Sequence, residues 1–344
     1  MTTPSASSAG ESRIRRLGLE IQAALPGAVT FDVRLSSMSW WQIGGPARVV
    51  VEPRNRAEVV SVMTILDGSL VPFCIIGEGS NILFDDRGFE GVIMVIGRRM
   101  SKTRISGNTV WAEAGTPIPR LALEVGAQGL TGLEHAVGIP GTLGGLILMN
   151  GGSQRKGIGT TVRRVTCVDR NGEILEMTQA ECEFSYRGSR LQATDAAIVE
   201  AELELGSGSA ADIKAEMEEI VASRNARFPQ NLPSCGSTFV SDPKLYATIG
   251  APGKAIEAVG LRGWRRGNAQ ISEQHANFFV NLGNASSADI LWLIALARNS
   301  VRDVTGVAMD CEVRYVDVSG EASPAHIAAT ARWGEQLTSS SLSA

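Results

Sequence analysis

Apolar residues recur at helical spacing in three parts of the chain. The segment NRAEVVSVMTIL has its apolar positions behind Asn55 and Glu58, which form a possible capping box, so it predicts an amphipathic helix. A second long helix is predicted from about residue 209 to 227. A third is predicted from 287 to about 305, where Gly306 is placed to end it.

Short runs of apolar and β-branched residues predict strands between these helices. VPFCII and GVIMVI are bounded by glycines, and TVWAEAG alternates apolar and polar positions. VRRVTCVDRNGEILEMT reads as two strands joined at Asn171-Gly172, a strong hairpin signal because both residues tolerate positive φ. The pattern therefore predicts mixed α/β structure in the first half of the chain, with antiparallel sheet present.

Prolines mark a boundary after Arg227. Pro229 and Pro233 interrupt the chain there, and a new α+β pattern begins that ends near Asp317. Residues 1–22 are expected to form a loose N-terminal leader. Residues 318–344, rich in Ser and Ala, are expected to form a weakly structured tail.

The composition excludes several classes of protein. A chain of 344 residues has length for two or three domains, and 44% hydrophobic with 20% charged residues is typical of globular proteins. Five cysteines, an odd number without a C-x-x-C pair, suggest neither a disulfide framework nor a zinc site, and three histidines without metal-ligand spacing predict no metal. A reducing cytoplasm fits this cysteine usage.

Charge and hydropathy narrow the expected partners. A net charge of -4 gives no global basic field for nucleic acid, although a small anion needs only a local cluster of arginines. The apolar run 290–297 is far shorter than the ~20 residues of a membrane-spanning helix. The N-terminus lacks the apolar centre of a secretory signal. We expect a cytoplasmic protein that binds neither nucleic acid nor membrane.

Two glycine-rich stretches are the first indication of a ligand-binding site. GEGSN and GIPGTLGG let backbone amides approach a phosphate or a flat ligand closely, although each alone could be an ordinary turn. The first is not a dinucleotide fingerprint, because Ile82 stands where the third glycine belongs. Together they favour a nucleotide cofactor. The candidate cofactor contacts are Gly77, Glu78, Gly79, Ser80, Asn81, Gly138, Ile139, Pro140, Gly141, Gly144 and Gly145.

Several longer motifs occur in a familiar order. With IGGPARVVVEP, GEGSNILFDDRGFEGVIM, GLEHAVGIPGTLGG, SYRGS, GSTF and QHANFFVN, the chain resembles the UDP-N-acetylenolpyruvoylglucosamine reductase family in its shorter subtype, over about residues 25–317. The resemblance implies an FAD-binding domain of the vanillyl-alcohol-oxidase type over 23–227, made of two α+β subdomains split near residue 90. An α+β substrate-binding domain over 228–317 follows.

The resemblance also implies a reaction. NADPH would reduce bound FAD, which would reduce the enolpyruvyl group of UDP-N-acetylglucosamine-enolpyruvate to UDP-N-acetylmuramate for peptidoglycan precursor synthesis. Two alternatives stay open: another FAD-linked oxidoreductase of this fold, since fold does not fix chemistry, and a non-catalytic nucleotide-sugar-binding homologue. The oligomeric state is open, with a monomer expected.

Site residues follow from the same motifs. The family pattern implies that Arg187, Ser237 and Glu312 are catalytic, because charge that develops beside the substrate carboxylate must be stabilised and then protonated. Without the motif, Arg187 would read as a solvated strand arginine and Glu312 as an edge-strand glutamate. Glu312 and Arg314 are two apart, so an extended strand would project both from one face. The implied substrate contacts are Tyr186, Arg224, Gln270, Asn277 and Arg314.

PSCGSTFV places a thiol and a hydroxyl two positions apart, and the chemistry decides between them. Nucleophilic thiol chemistry has no step in the implied reaction, so Cys235 is expected to be a small packing residue and Ser237 the proton donor. If the chain is extended there, both would share one strand face. The chain departs from the usual pattern at Gly151, where alanine is usual, at Arg155 and Lys156 after it, and at Arg262, where lysine is common.

Overall fold

The computed structural model describes residues 6–339 and residue 341. Over these residues the α-helices are α1 (Ala6–Ala24), α2 (Arg56–Leu66), α3 (Ile118–Ala127), α4 (Leu143–Leu148), α5 (Ala210–Arg227), α6 (Pro243–Thr248), α7 (Pro252–Ala258), α8 (Ser287–Thr305) and α9 (Ala325–Trp333). The strands are β1 (Val29–Arg34), β2 (Pro46–Val51), β3 (Phe73–Ile76), β4 (Ile82–Phe84), β5 (Phe89–Val95), β6 (Thr103–Ser106), β7 (Thr109–Glu113), β8 (Leu130–Thr131), β9 (Val162–Val168), β10 (Ile174–Thr178), β11 (Ala197–Glu204), β12 (Gly206–Ser207), β13 (Arg265–Arg266), β14 (Ala269–Ile271), β15 (Phe279–Asn281), β16 (Arg314–Val316) and β17 (Ala322–Pro324).

The chain divides into two compact units that are not continuous in sequence. The first unit comprises the described residues up to Asp32, Arg48–Glu78 and Gly91–Arg224. The second comprises Val33–Ala47, Gly79–Glu90 and the described residues from Asn225 onward. Each unit has its own hydrophobic core. Within the described residues, no helix is long and apolar enough to cross a membrane.

The described residues of the first unit form two larger sheets and the two-stranded sheet β12-β8. One has the strand order β10-β9-β11-β7-β6 and is antiparallel throughout. The other has the order β1-β2-β5-β3, with β3 and β5 parallel. The hairpin at Asn171-Gly172 is confirmed: Val168 pairs with Ile174 across it, and Gly172 has φ +84°. Glycine adopts this left-handed conformation without the steric cost of a Cβ.

The second unit contains a largely buried helix, α8, and two three-stranded sheets. The strands β13-β14-β15 form an antiparallel sheet, and β16 pairs with β17 antiparallel and with β4 in parallel. The predicted bounds of α8 are confirmed. A capping box between Ser286 and Asp289 begins it, and Gly306 ends it with φ +73°. Most of its residues up to Val301 are buried, so α8 forms the centre of this core.

The start of α2 differs from the prediction in one half of its cap. Asn55 Oδ1 accepts from the Glu58 amide at 3.0 Å, as expected for an N-cap. The Glu58 carboxylate, however, accepts from the amide of Arg54 at 2.8 Å rather than from that of Asn55. The predicted capping box is therefore wrong in its second bond, although both residues stabilise the first turn.

The expectation of a loose leader over residues 1–22 is wrong for the described residues 6–22. They belong to α1, in which Ile14, Leu17 and Ile21 are buried on one face and join the core of the first unit. The spacing of these three apolar residues is helical, and the arginines between them lie on the exposed face. Residues 1–5 lie outside the described part of the chain.

The expectation of a weakly structured tail over residues 318–344 is also wrong for residues 322–333. Residues 322–324 form β17, and α9 follows, with Ala325 and Ala329 buried in the core of the second unit. Alanine has the highest intrinsic helix propensity and lets a helix approach its neighbour closely, so an alanine-rich segment need not be disordered. Residues 340 and 342–344 lie outside the described part.

Candidate functional site

The two glycine-rich loops predicted from the sequence contact each other in the first unit. A Cβ on Gly77, directly after β3, would lie 2.4 Å from Thr142 Oγ1. Thr142 is the N-cap of α4, and this oxygen accepts from the Gly145 amide at 3.3 Å. Any side chain at residue 77 would therefore displace the cap of the second loop. Glu78 forms an ion pair with Arg98 at 3.3 Å.

The second loop is fixed by backbone bonds to residues 114–118. The Ile118 amide donates to Gly141 O at 3.0 Å, and the Gly144 amide donates to Ala114 O at 2.7 Å. Gly141 has φ +121°, a conformation that favours glycine. Thr116 Oγ1 is buried here and has no hydrogen-bond partner among the described residues. A buried hydroxyl of this kind is suited to a ligand atom.

Gly79 to Asn81 continue the first loop in the second unit. Gly79 has φ +64°, and a Cβ there would lie 1.9 Å from the carbonyl oxygen of Met38. Asn81 Nδ2 donates to the carbonyl oxygen of Glu312 at 3.1 Å, and Asn81 O accepts from the Arg314 amide at 3.1 Å. The amide side chain of Asn81 thus fixes the backbone that carries Glu312. Ser80 is half-buried between them.

Arg187 lies in a tight turn rather than in a strand. The Gly188 amide donates to Ser185 O at 3.1 Å to close the turn, and Arg187 itself has φ +55°. A non-glycine residue held in this conformation is uncommon, and such residues cluster at active sites and ligand-binding sites. Its Nη1 donates to Gly152 O at 3.2 Å. Tyr186 beside it is 64% exposed, which leaves its ring available to a ligand.

Arg224, near the end of α5, packs on the second glycine loop. A Cβ on Gly138 would lie 2.4 Å from Arg224 Cδ and 2.6 Å from its Nε. Glycine at 138 therefore makes room for the arginine stem. The structure brings a residue predicted to bind substrate against a loop predicted to bind cofactor.

The backbone at Gly236 separates the directions of Cys235 and Ser237. Gly236 has φ +76°, so the extended conformation considered for this stretch is wrong at that residue. Cys235 Sγ lies 3.5 Å from Ile82 O, and burial raises its thiol pKa to about 12. Ser237 is half-buried and forms a β-bridge with Phe278. The thiol faces the core, as its packing role predicts.

Ser237 and Glu312 belong to two paired segments of the second unit, here named the serine segment (Ser237–Phe239) and the glutamate segment (Asp310–Glu312). The Glu312 amide donates to Thr238 O at 2.9 Å, and Phe239 forms a bridge with Cys311. Both predicted catalytic residues of this unit thus lie on adjoining backbone. Arg187, the third, belongs to the first unit.

Glu312 and Arg314 project from one face, as predicted. Both are half-buried, whereas Cys311, Val313 and Tyr315 are buried. Arg314 Nη2 donates to Ala322 O at 2.7 Å, and burial lowers the pKa of its guanidinium. The backbone carbonyl orients this cation on the exposed side of β16.

Asn277 and Gln270 make protein contacts with their side chains. Asn277 accepts from the Phe239 amide at 3.0 Å and donates to Phe239 O at 2.9 Å. Gln270 Nε2 donates to Gly263 O at 3.1 Å and lies 3.2 Å from Glu273 Oε1. Each residue is 5% exposed. These contacts suit residues that hold a site in place, and contact with substrate stays a prediction for both.

A curated relative from Corynebacterium glutamicum, UDP-N-acetylenolpyruvoylglucosamine reductase 1, is 47% identical over 302 residues, which cover 88% of this chain and 90% of the relative. The chain belongs to the UDP-N-acetylenolpyruvoylglucosamine reductase family. The reductase of Halalkalibacterium halodurans is 35% identical over 86% of this chain and 97% of its own. The crystal structure of the Thermus caldophilus reductase matches with a TM-score of 0.71 and 28% identity, over 83% of this chain and 98% of that one.

Two family models match different parts of the reductase chain. The model for the C-terminal domain of UDP-N-acetylenolpyruvoylglucosamine reductase matches residues 228–316, and an FAD binding domain model matches 47–178. The residues of the glycine loops fit that cofactor. Their glycines pack so closely that a Cβ on Gly77, Gly79 or Gly138 would overlap a neighbouring atom, and Thr116 presents a buried hydroxyl that has no partner among the described residues.

One departure from the usual family pattern has a structural explanation. A Cβ on Gly151, where the family usually has alanine, would lie 2.5 Å from Leu146 Cδ1. In this reductase the leucine side chain occupies the space that an alanine methyl would need.

Sequence reasoning missed two asparagines that hold predicted site residues. Asn81 was predicted only as a cofactor contact, yet its side chain holds Glu312. Asn150 donates to Ser185 O at 2.7 Å and accepts from the Gly159 amide at 2.9 Å, so it anchors the turn that carries Arg187. Its position before two glycines was a usable signal, because Asn commonly fixes such turns through its side chain.

Proposed function

We propose that this protein is an NADPH-dependent FAD reductase that converts UDP-N-acetylglucosamine-enolpyruvate to UDP-N-acetylmuramate in peptidoglycan precursor synthesis. The 47% identity to a named reductase, over 88% of the chain, carries the proposal. Residues 23–227 would bind FAD and residues 228–317 would bind the UDP-sugar. The protein would act in the cytoplasm, where its nucleotide substrates are made.

The chain must stabilise one charge and deliver one proton. When bound, FAD supplies hydride exchange between the nicotinamide and the terminal carbon of the enolpyruvyl group. Negative charge then develops on the substrate carbon beside the carboxylate, and this carbon must take a proton to complete the reduction. Ser237 is proposed as the donor. A hydroxyl is a weak acid, but it can protonate a carbanion that is held within hydrogen-bond reach.

Arg187 is proposed to hold the developing enolate, and Glu312 to orient or protonate the intermediate. The planar guanidinium of Arg187 suits a carboxylate and would stabilise its growing charge. Its left-handed turn, bonded to Gly152, supports a fixed direction for the side chain. Glu312 would orient or protonate the intermediate beside it, and its backbone is held by Asn81.

The remaining predicted residues would bind the UDP-sugar. Arg224 and Arg314 are proposed to contact the diphosphate, because charged guanidinium groups make strong hydrogen bonds to phosphate oxygens. Tyr186, which is well exposed, would contact the sugar. For Gln270 and Asn277 we propose that the effect on substrate is exerted through the backbone that their side chains hold.

The proposal is tested by separating the two halves of the reaction. Purified protein should show flavin absorbance and release FAD on denaturation. Anaerobic NADPH should bleach that absorbance, and UDP-N-acetylglucosamine-enolpyruvate should restore it with formation of UDP-N-acetylmuramate. A colourless protein that binds the UDP-sugar would favour a non-catalytic homologue. Re-oxidation by other acceptors but not by the enolpyruvyl substrate would favour a different oxidoreductase.

A further inference from the structure

His326 of α9 lies against the segment that carries Glu312. Its side chain is 14% exposed, and the helix follows the 228–316 match to the reductase C-terminal domain. The Cys311 amide donates to His326 Nδ1 at 2.9 Å, and His326 Nε2 lies 3.3 Å from Asp310 Oδ1. One imidazole thus contacts two consecutive residues of the glutamate segment.

These contacts define the protonation state of the ring. A nitrogen that accepts a hydrogen bond carries a free lone pair, so Nδ1 is unprotonated and Nε2 carries the proton that faces Asp310. The neutral ring is therefore the form that holds the segment. Protonation would place a hydrogen on Nδ1, directly against the amide hydrogen of Cys311, and the bond would be lost.

Backbone pairing explains why this amide needs a side-chain acceptor. On one side of the glutamate segment, Val240 N donates to Asp310 O at 2.9 Å and Glu312 N donates to Thr238 O at 2.9 Å. In antiparallel pairing the amide between two such bonds points to the opposite edge. The Cys311 amide thus faces α9, where His326 Nδ1 takes the place of a further strand.

We propose that His326 is a positioning residue for Glu312, which it holds through the Cys311 amide in its neutral form. The proposal rests on the catalytic role proposed for Glu312. The serine segment holds one edge of the glutamate segment. His326 holds the other edge at Cys311, and the Ala325 amide donates to Val313 O at 2.9 Å one residue after Glu312. Loss of the imidazole acceptor removes the bond on this edge that precedes the carboxylate.

The charges around the ring favour its neutral form. Burial lowers the pKa of His326, and Arg298 adds to this effect, whereas Asp310 opposes it. Arg298 Nη2 lies 3.6 Å from Asp310 Oδ1, and this ion pair partly neutralises the carboxylate that faces the ring. A histidine pKa lowered on folding means that acid protonates the unfolded state first. The stability that His326 contributes is therefore fully present above about pH 6.5 and is lost as the pH falls. The hydrogen bond that positions Glu312 is lost when the folded ring takes up a proton, at a pH below about 6.5.

Three substitutions at this residue separate the acceptor from the rest of the side chain. His326→Asn keeps an acceptor close to the position of Nδ1, His326→Gln keeps a polar group near Nε2 only, and His326→Leu keeps neither. Ile327→Ala, at a residue that is 50% exposed on the same helix, is the matched control. Each holoenzyme is measured by stopped-flow flavin absorbance, thermal unfolding and amide exchange of peptides that span residues 309–314.

We expect His326→Leu and His326→Gln to slow re-oxidation by the enolpyruvyl substrate about tenfold, the effect of losing one buried hydrogen bond. Reduction by NADPH should be unchanged, and KM for the UDP-sugar should change less than kcat. His326→Asn should recover most of the rate and remove the loss of rate below about pH 6.5. Amide exchange at 309–314 should accelerate in the leucine and glutamine variants alone.

Equal exchange and equal re-oxidation in all variants would overturn the proposal. So would an asparagine variant as slow as leucine at the same melting temperature, or equal slowing of both half-reactions. If wild-type flavin is reduced by NADPH but the enolpyruvyl substrate never re-oxidises it, the proposed function fails instead. Unchanged exchange at 309–314 in the leucine variant would then still refute the hydrogen-bond role.

Discussion

The glycine loops and the paired serine and glutamate segments hold their functional atoms in different ways. The loops at 77–81 and 138–145 are shaped by absent side chains: a Cβ on Gly77, Gly79 or Gly138 would overlap a neighbouring atom. The paired segments are shaped by side chains, since Asn81 and Asn277 hydrogen-bond to their backbone. A side chain added at one of these glycines would therefore disrupt the loop by steric overlap. In the paired segments, removal of a hydrogen-bonding side chain would leave backbone groups without their partner.

The largest effect is expected from Ser237→Ala. Removal of the proton donor should slow re-oxidation of the flavin by the enolpyruvyl substrate about 10²- to 10⁴-fold, the usual contribution of a positioned general acid. Reduction by NADPH should stay near the wild-type rate. Stopped-flow absorbance follows the two halves separately.

Cys235→Ala is the matched control two residues away. The thiol is buried against backbone oxygens and takes no step in the reaction, so both half-reactions should continue nearly unchanged. Fast re-oxidation in the serine variant, or its loss in the cysteine variant, would contradict the assignment of the hydroxyl as donor.

Gly79→Val tests the glycine loops. Valine at this position would overlap the Met38 carbonyl and strain a backbone at φ +64°, so purified protein should contain almost no FAD. The ratio of FAD to protein is measured by absorbance after denaturation. Gly107→Val separates overlap from strain, because Gly107 has φ +56° but no atom within 4 Å of a Cβ. A full complement of FAD in the Gly79 variant would show that the loop does not hold the cofactor.

Asn277→Ala tests the side-chain site. It leaves the buried amide and carbonyl of Phe239 without their side-chain partner, which should lower the free energy of unfolding by about 2 to 6 kcal/mol, at about 1 to 3 kcal/mol for each unsatisfied group. Urea titration measures the loss. Asn268→Ala, at an exposed turn, should change stability little. If Asn277 instead contacts substrate alone, stability would be retained and KM would rise.

The smallest effects are expected from the diphosphate arginines. Arg224→Ala and Arg314→Ala should each weaken binding of the UDP-sugar by about 1.5 to 3 kcal/mol, as charged hydrogen bonds are lost. Isothermal calorimetry on the oxidised holoenzyme measures this, with the exposed Arg265→Ala as control. Arg224 also packs on Gly138, so its variant should lose some FAD affinity as well, whereas the Arg314 variant should not. Unchanged substrate affinity in both would remove them from the binding site.

The sequence alone determined the features that depend on neighbouring residues. The bounds of α8, the hairpin at Asn171-Gly172 and the family motifs were all readable, because caps, turns and strand alternation are set within a few positions. The choice of Ser237 over Cys235 also came from the sequence, through the chemistry of the implied reaction.

Only the tertiary structure decided how the predicted residues are held. The partner of Asn277 lies 38 residues away and that of Asn81 lies 231 residues away, so neither bond could be read from local pattern. The terminal helices α1 and α9 have local signals, helical apolar spacing in α1 and high alanine content in α9, but short isolated helices are marginal in water and the cores that cover them stabilise them. Local propensity indicates where a helix or strand can form. Burial and distant hydrogen-bond partners determine whether it forms and which residues it positions.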